Sequence, residues 1–237
     1  MLKQAVFQSE YDGEFIITQS TIKDGKKHET RDWVPFTVEN NQHFGIAYAI
    51  GNGASRQKFK LQWLHKPHGR LFGHEMGQTY GCNAVHRDFE PNFLVVNNQK
   101  IIDEIKPKQE EISSAVFANT SMILDNPGFM HLVPYNFRSN AGTMALYLAC
   151  FHEHTKIYMI GYDNTPRYGA ESNMYVGTNG YENSKPSTKW IKNVENIMKI
   201  YPMVEFVRVE SLQPPPDSWL WCSNFRQITY DDFIKEQ

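Results

Sequence analysis

IAYAIGNGASR, residues 46–56, decides how the rest of the chain is read. Five residues with no charge among them, IAYAI, are too few for a core helix and suit a strand buried on both faces, as in parallel sheets. Gly51-Asn52-Gly53 then turns the chain. Ser55 and Arg56 open a polar stretch, SRQKFKLQWLHK (55–66), with Phe59, Trp63 and Leu64 at helical spacing. A strand that runs through glycines into a helix lets backbone N–H groups and the positive helix end meet a phosphate. Ser55 is placed either to cap that helix or to bond a phosphate oxygen. The loop is neither GxGxxG nor the Gly-Lys-Ser/Thr loop of a Walker A motif. A plain strand-to-helix turn has the same residues.

Working outward, short apolar runs recur: a strand end in TYGCN (79–83), then FLVV (93–96), AVFA (115–118), MHLV (130–133), IYMIG (157–161) and VEFVRV (204–209), read as the last strand. RLFG (70–73) lies across a Gly-rich turn from the first of these. Helical patterns stand between them, in KIIDEI (100–105), in NAGTMALYLACFHEH (140–154), which is apolar on most sides, and in STKWIKNVENIMKIY (187–201). The alternation predicts an α/β, Rossmann-like, mostly parallel sheet with helices on both faces over 46–210. Before it, EFIITQS (14–20) between Asp12-Gly13 and Asp24-Gly25 predicts a small antiparallel β extension within 1–45, either a structural flap or a lid or oligomer contact. After it, Pro214-Pro215-Pro216 begins a tail, 211–237, expected to pack on the core and to close in a short helix, ITYDDFIKE.

At 237 residues and 41% hydrophobic, the chain can bury a core without staples. A formal net charge of −2 gives no overall pull toward nucleic acid or anionic membrane. Cys82, Cys150 and Cys222 are odd in number and far apart, which argues against a disulfide framework and for a reducing, cytoplasmic setting. No apolar run of about 18 residues predicts a membrane span.

Ligands of open α/β sheets bind outside the carboxyl ends of the strands. Those ends read Gly51-Asn52-Gly53, Asn83, Asn97-Asn98, Asn119-Thr120 and Gly161-Tyr162-Asp163-Asn164. One asparagine there is turn chemistry. A row of them predicts a site of neutral amides, suited to ribose hydroxyls, base edges and phosphate oxygens. Arg138 precedes Asn140-Ala141-Gly142-Thr143, a second helix start able to meet an anion, or simply capped by Asn140. The 25-odd residues from Tyr162 to Pro186 are long for a connection and predict a functional loop. The histidines are scattered, and His152 and His154, two apart on a helix, are expected on different sides. No HExxH, Cys/His spacing or Asp-x-Asp pair predicts a metal, and no GxSxG elbow a hydrolase.

In their order, GNGAS, the strand ending in Cys82-Asn83, the strand ending in Asn97, Arg138 leading to Gly142 and an apolar helix, and IYMIGYD (157–163) resemble the sialyltransferase-type glycosyltransferases of bacteria and related proteins common in phages. The resemblance covers about 46–209 and implies a metal-independent, nucleotide-sugar-binding Rossmann-like core. It implies donor contacts from Gly51, Asn52, Gly53, Ser55, Arg56, Asn83, Asn97, Asn119, Thr120, Arg138, Asn140, Gly142, Thr143 and Asp163, with lid tyrosines such as Tyr168 and Tyr181 steadying the leaving phosphate. No separate cofactor is implied: a CMP- or UDP-linked sugar is the co-substrate. The acceptor is a hydroxyl on a glycan or on a hydroxymethylated phage DNA base, which would set the chain in a host cytoplasm, and a homo-oligomer is left open. The family's sialyltransferases carry a histidine base at the end of the lid. Here the segment reads YENSKP (181–186), so the base is expected at Glu182, tuned toward neutral pH in a closed site, or at His86. Two alternatives stand beside this: pyrophosphate transfer on the same fold, as in a related family acting on hydroxymethylpterin, which would need magnesium-binding carboxylates, and a non-catalytic nucleotide-binding relative.

Overall fold

The structure is a computed structural model that describes residues 2–6, 14–35, 45–65, 77–126, 128–134, 139–164, 173–182 and 188–236. RLFG (70–73), Arg138, Tyr168 and much of the long loop after Asn164 lie outside the described residues.

Three strands near the N-terminus, β1 (Leu2–Val6), β2 (Glu14–Lys23) and β3 (Lys26–Pro35), form an antiparallel sheet. Asp24 and Gly25 join β2 to β3 with φ of 53° and 70°. Positive φ at both central residues is what a two-residue hairpin turn requires, and it is why Asp-Gly is a reliable signal.

The core is one sheet of eight strands, all parallel: β4 (Ile46–Ile50), β5 (Gln78–Cys82), β6 (Phe93–Val96), β7 (Ala115–Ala118), β8 (His131–Leu132), β9 (Lys156–Ile160), β10 (Glu205–Val209) and β11 (Phe225–Ile228). The spatial order is β11-β10-β9-β4-β5-β6-β7-β8. The chain enters at β4, builds outward to β8, crosses back and pairs β9 on the other side of β4, then builds outward to β11. The order reverses between β4 and β9, so the crevice at their carboxyl ends is the topological switch point.

Side-chain alternation divides each strand between two faces. On β6 and β7, Phe93, Val95 and Phe117 join the cluster that contains Met144, Leu148 and Ala149 of α3 (Ala141–Phe151). Leu94, Val96, Val116 and Ala118 join the cluster on the other face, with Ile101, Ile102 and Ile105 of α1 (Gln99–Ile105) and Ile123 of α2 (Thr120–Asp125). α4 (Lys189–Ile200) turns Val194, Ile197 and Met198 inward. α5 (Tyr230–Glu236) sets Phe233, fully buried, edge-on against Tyr48, Phe59 and Tyr158. Each large apolar side chain so buried contributes about 1.5–3 kcal/mol.

The structure corrects the sequence reading in four places. VEFVRV is not the last strand: β11, FRQI, extends the sheet through the supposed tail. It is an edge strand with partly exposed residues, so it carries no apolar run to betray it. SRQKFKLQWLHK is not one helix but two 3-10 turns, Ala54–Lys58 and Leu61–His65, parted by extended backbone at Phe59. The side chains of Ser55 and Arg56 are drawn inward by contacts described below. MHLV shrinks to the two residues of β8. His152 and His154 meet on one side, because α3 stops at Phe151 and Glu153 takes a φ of 64°.

Candidate active site

Two loops meet at the switch point. Gly51 N–H donates to the carbonyl of Ile160 (2.8 Å), and Gly53 N–H to that of Gly161 (2.9 Å). A Cβ on Gly51 would lie 2.4 Å from the Gly161 oxygen; one on Gly53 would lie 2.4 Å from Asp163 Oδ1. The glycines are therefore dictated by the close approach of the Gly161 backbone and, at Gly53, of the Asp163 carboxylate as well. Asp163 is buried, and its carboxylate accepts the Ser55 N–H at 2.9 Å and the Ser55 hydroxyl. The first helix start, expected to meet a phosphate, already holds an anion of the protein's own.

The half of the sheet edge from β4 to β7 is different. Asn52 Nδ2 donates to the Tyr181 hydroxyl at 2.8 Å, and its Oδ1 lies 3.6 Å from Cys82 Sγ. Burial pushes the Cys82 thiol up to about 12, against the pull of Arg56 and Asn52, so it stays a protonated thiol at neutral pH. Asn83 sits at φ 44°, a conformation asparagine tolerates. It forms a reciprocal pair with Asn97: Asn83 Nδ2 donates to Asn97 Oδ1 (3.2 Å), and Asn97 N–H donates to Asn83 Oδ1 (3.0 Å). Asn97 Nδ2 donates on to the Ser139 carbonyl at 3.1 Å, tying the β6 end to the approach of α3. Asn119 caps α2 by accepting Met122 N–H (3.0 Å), with Thr120 buried beside it. Asn140 caps α3, accepting the N–H and hydroxyl of Thr143 at 2.8 and 2.9 Å. Gly142 offers its carbonyl to the Tyr162 hydroxyl at 2.7 Å. Asn52, Asn83, Asn97, Asn119 and Gly142 remain half-exposed and Asn140 exposed.

Residues 173–182 cover part of this edge. Met174 N–H donates to the Asn52 carbonyl (2.9 Å), and Asn98 Nδ2 to that of Gly180 (2.9 Å). Two guanidinium groups stand over the Tyr175 ring, Arg56 at 5.6 Å and Arg87 at 5.7 Å from its centroid. Its hydroxyl accepts from Arg56 and donates to Asp88. Arg56, buried, also donates to the Gly51 carbonyl (2.9 Å) and pairs with Asp88 (3.1 Å). Arg87 bonds Thr178 Oγ1 (2.7 Å), the Asn179 carbonyl (2.8 Å) and Glu104. Burial pushes the Tyr181 phenol up to about 12, against hydrogen bonds from Asn83 and Asn52, and raises Tyr175 too, against Arg56. Both are neutral O–H groups at physiological pH. Arg87, Asp88 and Glu104 carried no sequence signal, since isolated charges in short connections look like solvated surface.

The two bases named from sequence sit differently. Glu182 is exposed and pairs with Lys100 at 2.6 Å, which holds its carboxyl below the ordinary range. Tuning toward neutrality needs burial, and here Glu182 is exposed and its shift runs the other way. His86 is half-buried, with Nδ1 donating to the Asn83 carbonyl (2.9 Å) and Nε2 3.5 Å from Glu104. Among the described residues no three His, Cys, Asp or Glu side chains group as a cation site, and none of the helices is long and apolar enough to cross a membrane. Comparison with known proteins finds no matching family model, curated protein or solved structure.

Proposed function

We propose that the chain is a glycosyltransferase that moves a sugar from a nucleotide-sugar donor to a hydroxyl acceptor. The observation that carries the reading is the half-exposed row of amides at the carboxyl edge of a parallel sheet, Asn52, Asn83, Asn97 and Asn119, beside the α3 start and the neutral phenol of Tyr181. Amides that both donate and accept suit ribose and base edges. The α3 start suits the donor phosphate, since the Ser55 start is taken by Asp163. In the reaction the acceptor oxygen would bond the anomeric carbon as the bond to the donor phosphate breaks. The departing nucleotide gains negative charge, which neutral O–H and N–H donors favour most in the transition state. His86, next to Asn83 on the same turn, is the base to test. A non-catalytic nucleotide-binding relative is the second reading, favoured by the exposure of Glu182 and its pairing with Lys100.

The test is a thermal-shift panel of CMP, UDP, GDP, ADP and nucleoside triphosphates, with and without magnesium, because a ligand of the folded state raises its midpoint by mass action. A magnesium-independent shift with one pyrimidine nucleotide, weakened about tenfold in Asn97→Ala (about 1.4 kcal/mol), is the expected result. A shift only with a triphosphate and magnesium would favour pyrophosphate transfer, and no shift would overturn the proposal. Release of free nucleotide from the matching nucleotide-sugar then separates the enzyme from the non-catalytic reading.

A further inference from the structure

The outer side of α4 carries a surface that the candidate site does not use. Lys189, Lys192 and Lys199 are exposed. At about 100° per residue they fall within about 80° of one another around the helix, so they form one stripe. Glu195, the carboxylate of α4, lies at the margin of that stripe, buried, and is shared by Lys192 (2.8 Å) and Lys199 (2.6 Å).

Apolar side chains stand beside the stripe. Ile200, at the end of α4, is 67% exposed, and Met203, in the turn that follows, is 90% exposed. A second segment, the 3-10 turn Asp217–Trp221, runs along the same helix. Trp219 Nε1 donates to the Ile191 carbonyl at 3.0 Å, and Asn224 Nδ2 lies 3.0 Å from the carbonyls of Met198, Tyr201 and Val204. With three residues per turn, side chains three apart eclipse. Trp219 and Cys222 accordingly share the buried side, and Leu220 and Trp221, 65% and 87% exposed, are turned out. Single exposed apolar residues are ordinary. Four on two adjoining segments, beside a lysine stripe, mark an interaction surface.

Shape and charge select the partner. Met203 and Trp221 are exposed nearly in full, so they stand out from turns and do not line a groove that could seat a peptide. A two-fold pairing with a second copy would bring two lysine stripes together. The chain as a whole has a formal charge of −2, so any attraction to anions is local. Even with the exposed carboxylate of Asp217, lysines outnumber carboxylates on the two segments. An anionic bilayer surface meets both demands. Tryptophan settles at the headgroup level, and neighbouring apolar side chains reach the acyl boundary. Lysine lays its stem along apolar surface and keeps its ammonium among the headgroups.

We propose that this surface docks the chain reversibly on an anionic membrane, with Trp221 and Met203 entering the interface and the lysine stripe held at the headgroups. Co-sedimentation of the intact chain with vesicles of phosphatidylcholine, alone or with phosphatidylserine at about a third of the lipid, tests this. The expected result is binding to the mixed vesicles that weakens as salt rises. Trp221→Ser with Met203→Ser changes only exposed side chains and should weaken that binding by at least about tenfold at an unchanged thermal midpoint. Lys189→Gln with Lys192→Gln leaves Lys199 to pair with Glu195, and should weaken it by about fivefold per lysine. Tryptophan emission should move to shorter wavelength on the mixed vesicles, and Trp221→Ser should abolish the shift. Absence of binding, equal binding to both lipids, or binding unchanged in either double variant would overturn the proposal. So would a wild-type dimer in sedimentation velocity that Trp221→Ser with Met203→Ser dissolves, since the surface would then belong to a second copy.

Discussion

The two halves of the sheet edge use similar residues for opposite ends. At the switch point, Gly51, Gly53, Gly161, Ser55 and Asp163 are spent on one another: backbone meets backbone, and a carboxylate fills the place where an external anion was expected. Between β4 and β7, asparagines tie strand ends together yet stay half-exposed, with donors and acceptors of both kinds at the surface. A glycine-rich turn can thus serve close packing while the recognition chemistry lies one or two strands away. Which use a glycine has is decided by the loop facing it, and that loop is more than a hundred residues distant in sequence.

The contrast can be broken by substitution, most severely on the closed side. Gly53→Ala places a Cβ 2.4 Å from Asp163 Oδ1 and 2.5 Å from the Gly161 carbonyl. It should cost about 3 kcal/mol or more, read by urea denaturation, because both loops must part. A stable variant that bound nucleotide normally would show the two loops to be less committed to each other than their contacts imply. Asp163→Ala should follow, at about 2–3 kcal/mol, since it leaves the buried N–H and hydroxyl of Ser55 without an acceptor. On the open side Tyr181→Phe removes the hydroxyl that Asn52 and Asn83 hydrogen-bond, for about 1–2 kcal/mol of stability. Its larger effect should be on nucleotide affinity by titration calorimetry; affinity lost in Asp163→Ala but kept in Tyr181→Phe would reverse the assignment of the two halves.

Two smaller effects sharpen the picture of the cover. Burial would raise the Glu104 carboxyl, but hydrogen bonds from Arg87 and Asn179 outweigh it and hold it below its ordinary value. A depressed carboxylate stabilises above its unfolded titration and loses that contribution as pH falls through its folded one. Exchange at residues 173–182 should therefore stay slow through neutral pH and quicken only below the ordinary carboxylate range. Glu182→Gln removes an exposed ion pair with Lys100 and should change neither the thermal midpoint nor turnover; lost turnover with unchanged nucleotide binding would restore Glu182 as the base.

Much of the fold was legible because buried parallel strands write themselves as short apolar runs, as at 93–96 and 157–160, and because Asp24-Gly25 names its own turn. β11 was not legible, since an edge strand need not be apolar. The 3-10 turns after Gly53 were hidden for another reason: Arg56 looks like a surface helix residue until the Gly51 carbonyl, Asp88 and Tyr175 converge on it. The amide row was visible as a list of strand ends. Its pairing of Asn83 with Asn97, and the carboxylate in the glycine crevice, are tertiary facts that local pattern does not encode.

The position of β4 has a consequence for how the chain comes together during synthesis. This first strand of the core is an inner strand, and its two neighbours arrive at very different times: Ala47 pairs with Gln78, whereas Ile46 pairs with Lys156. A nascent chain halted before β9 would carry β4 as a naked apolar edge, open to any other unpaired strand. Closing so long a loop is slow compared with local pairing. The partner that finally relieves that edge is also the strand that delivers Gly161 and Asp163 to the crevice, so protection from misassociation and completion of the switch point arrive in one event.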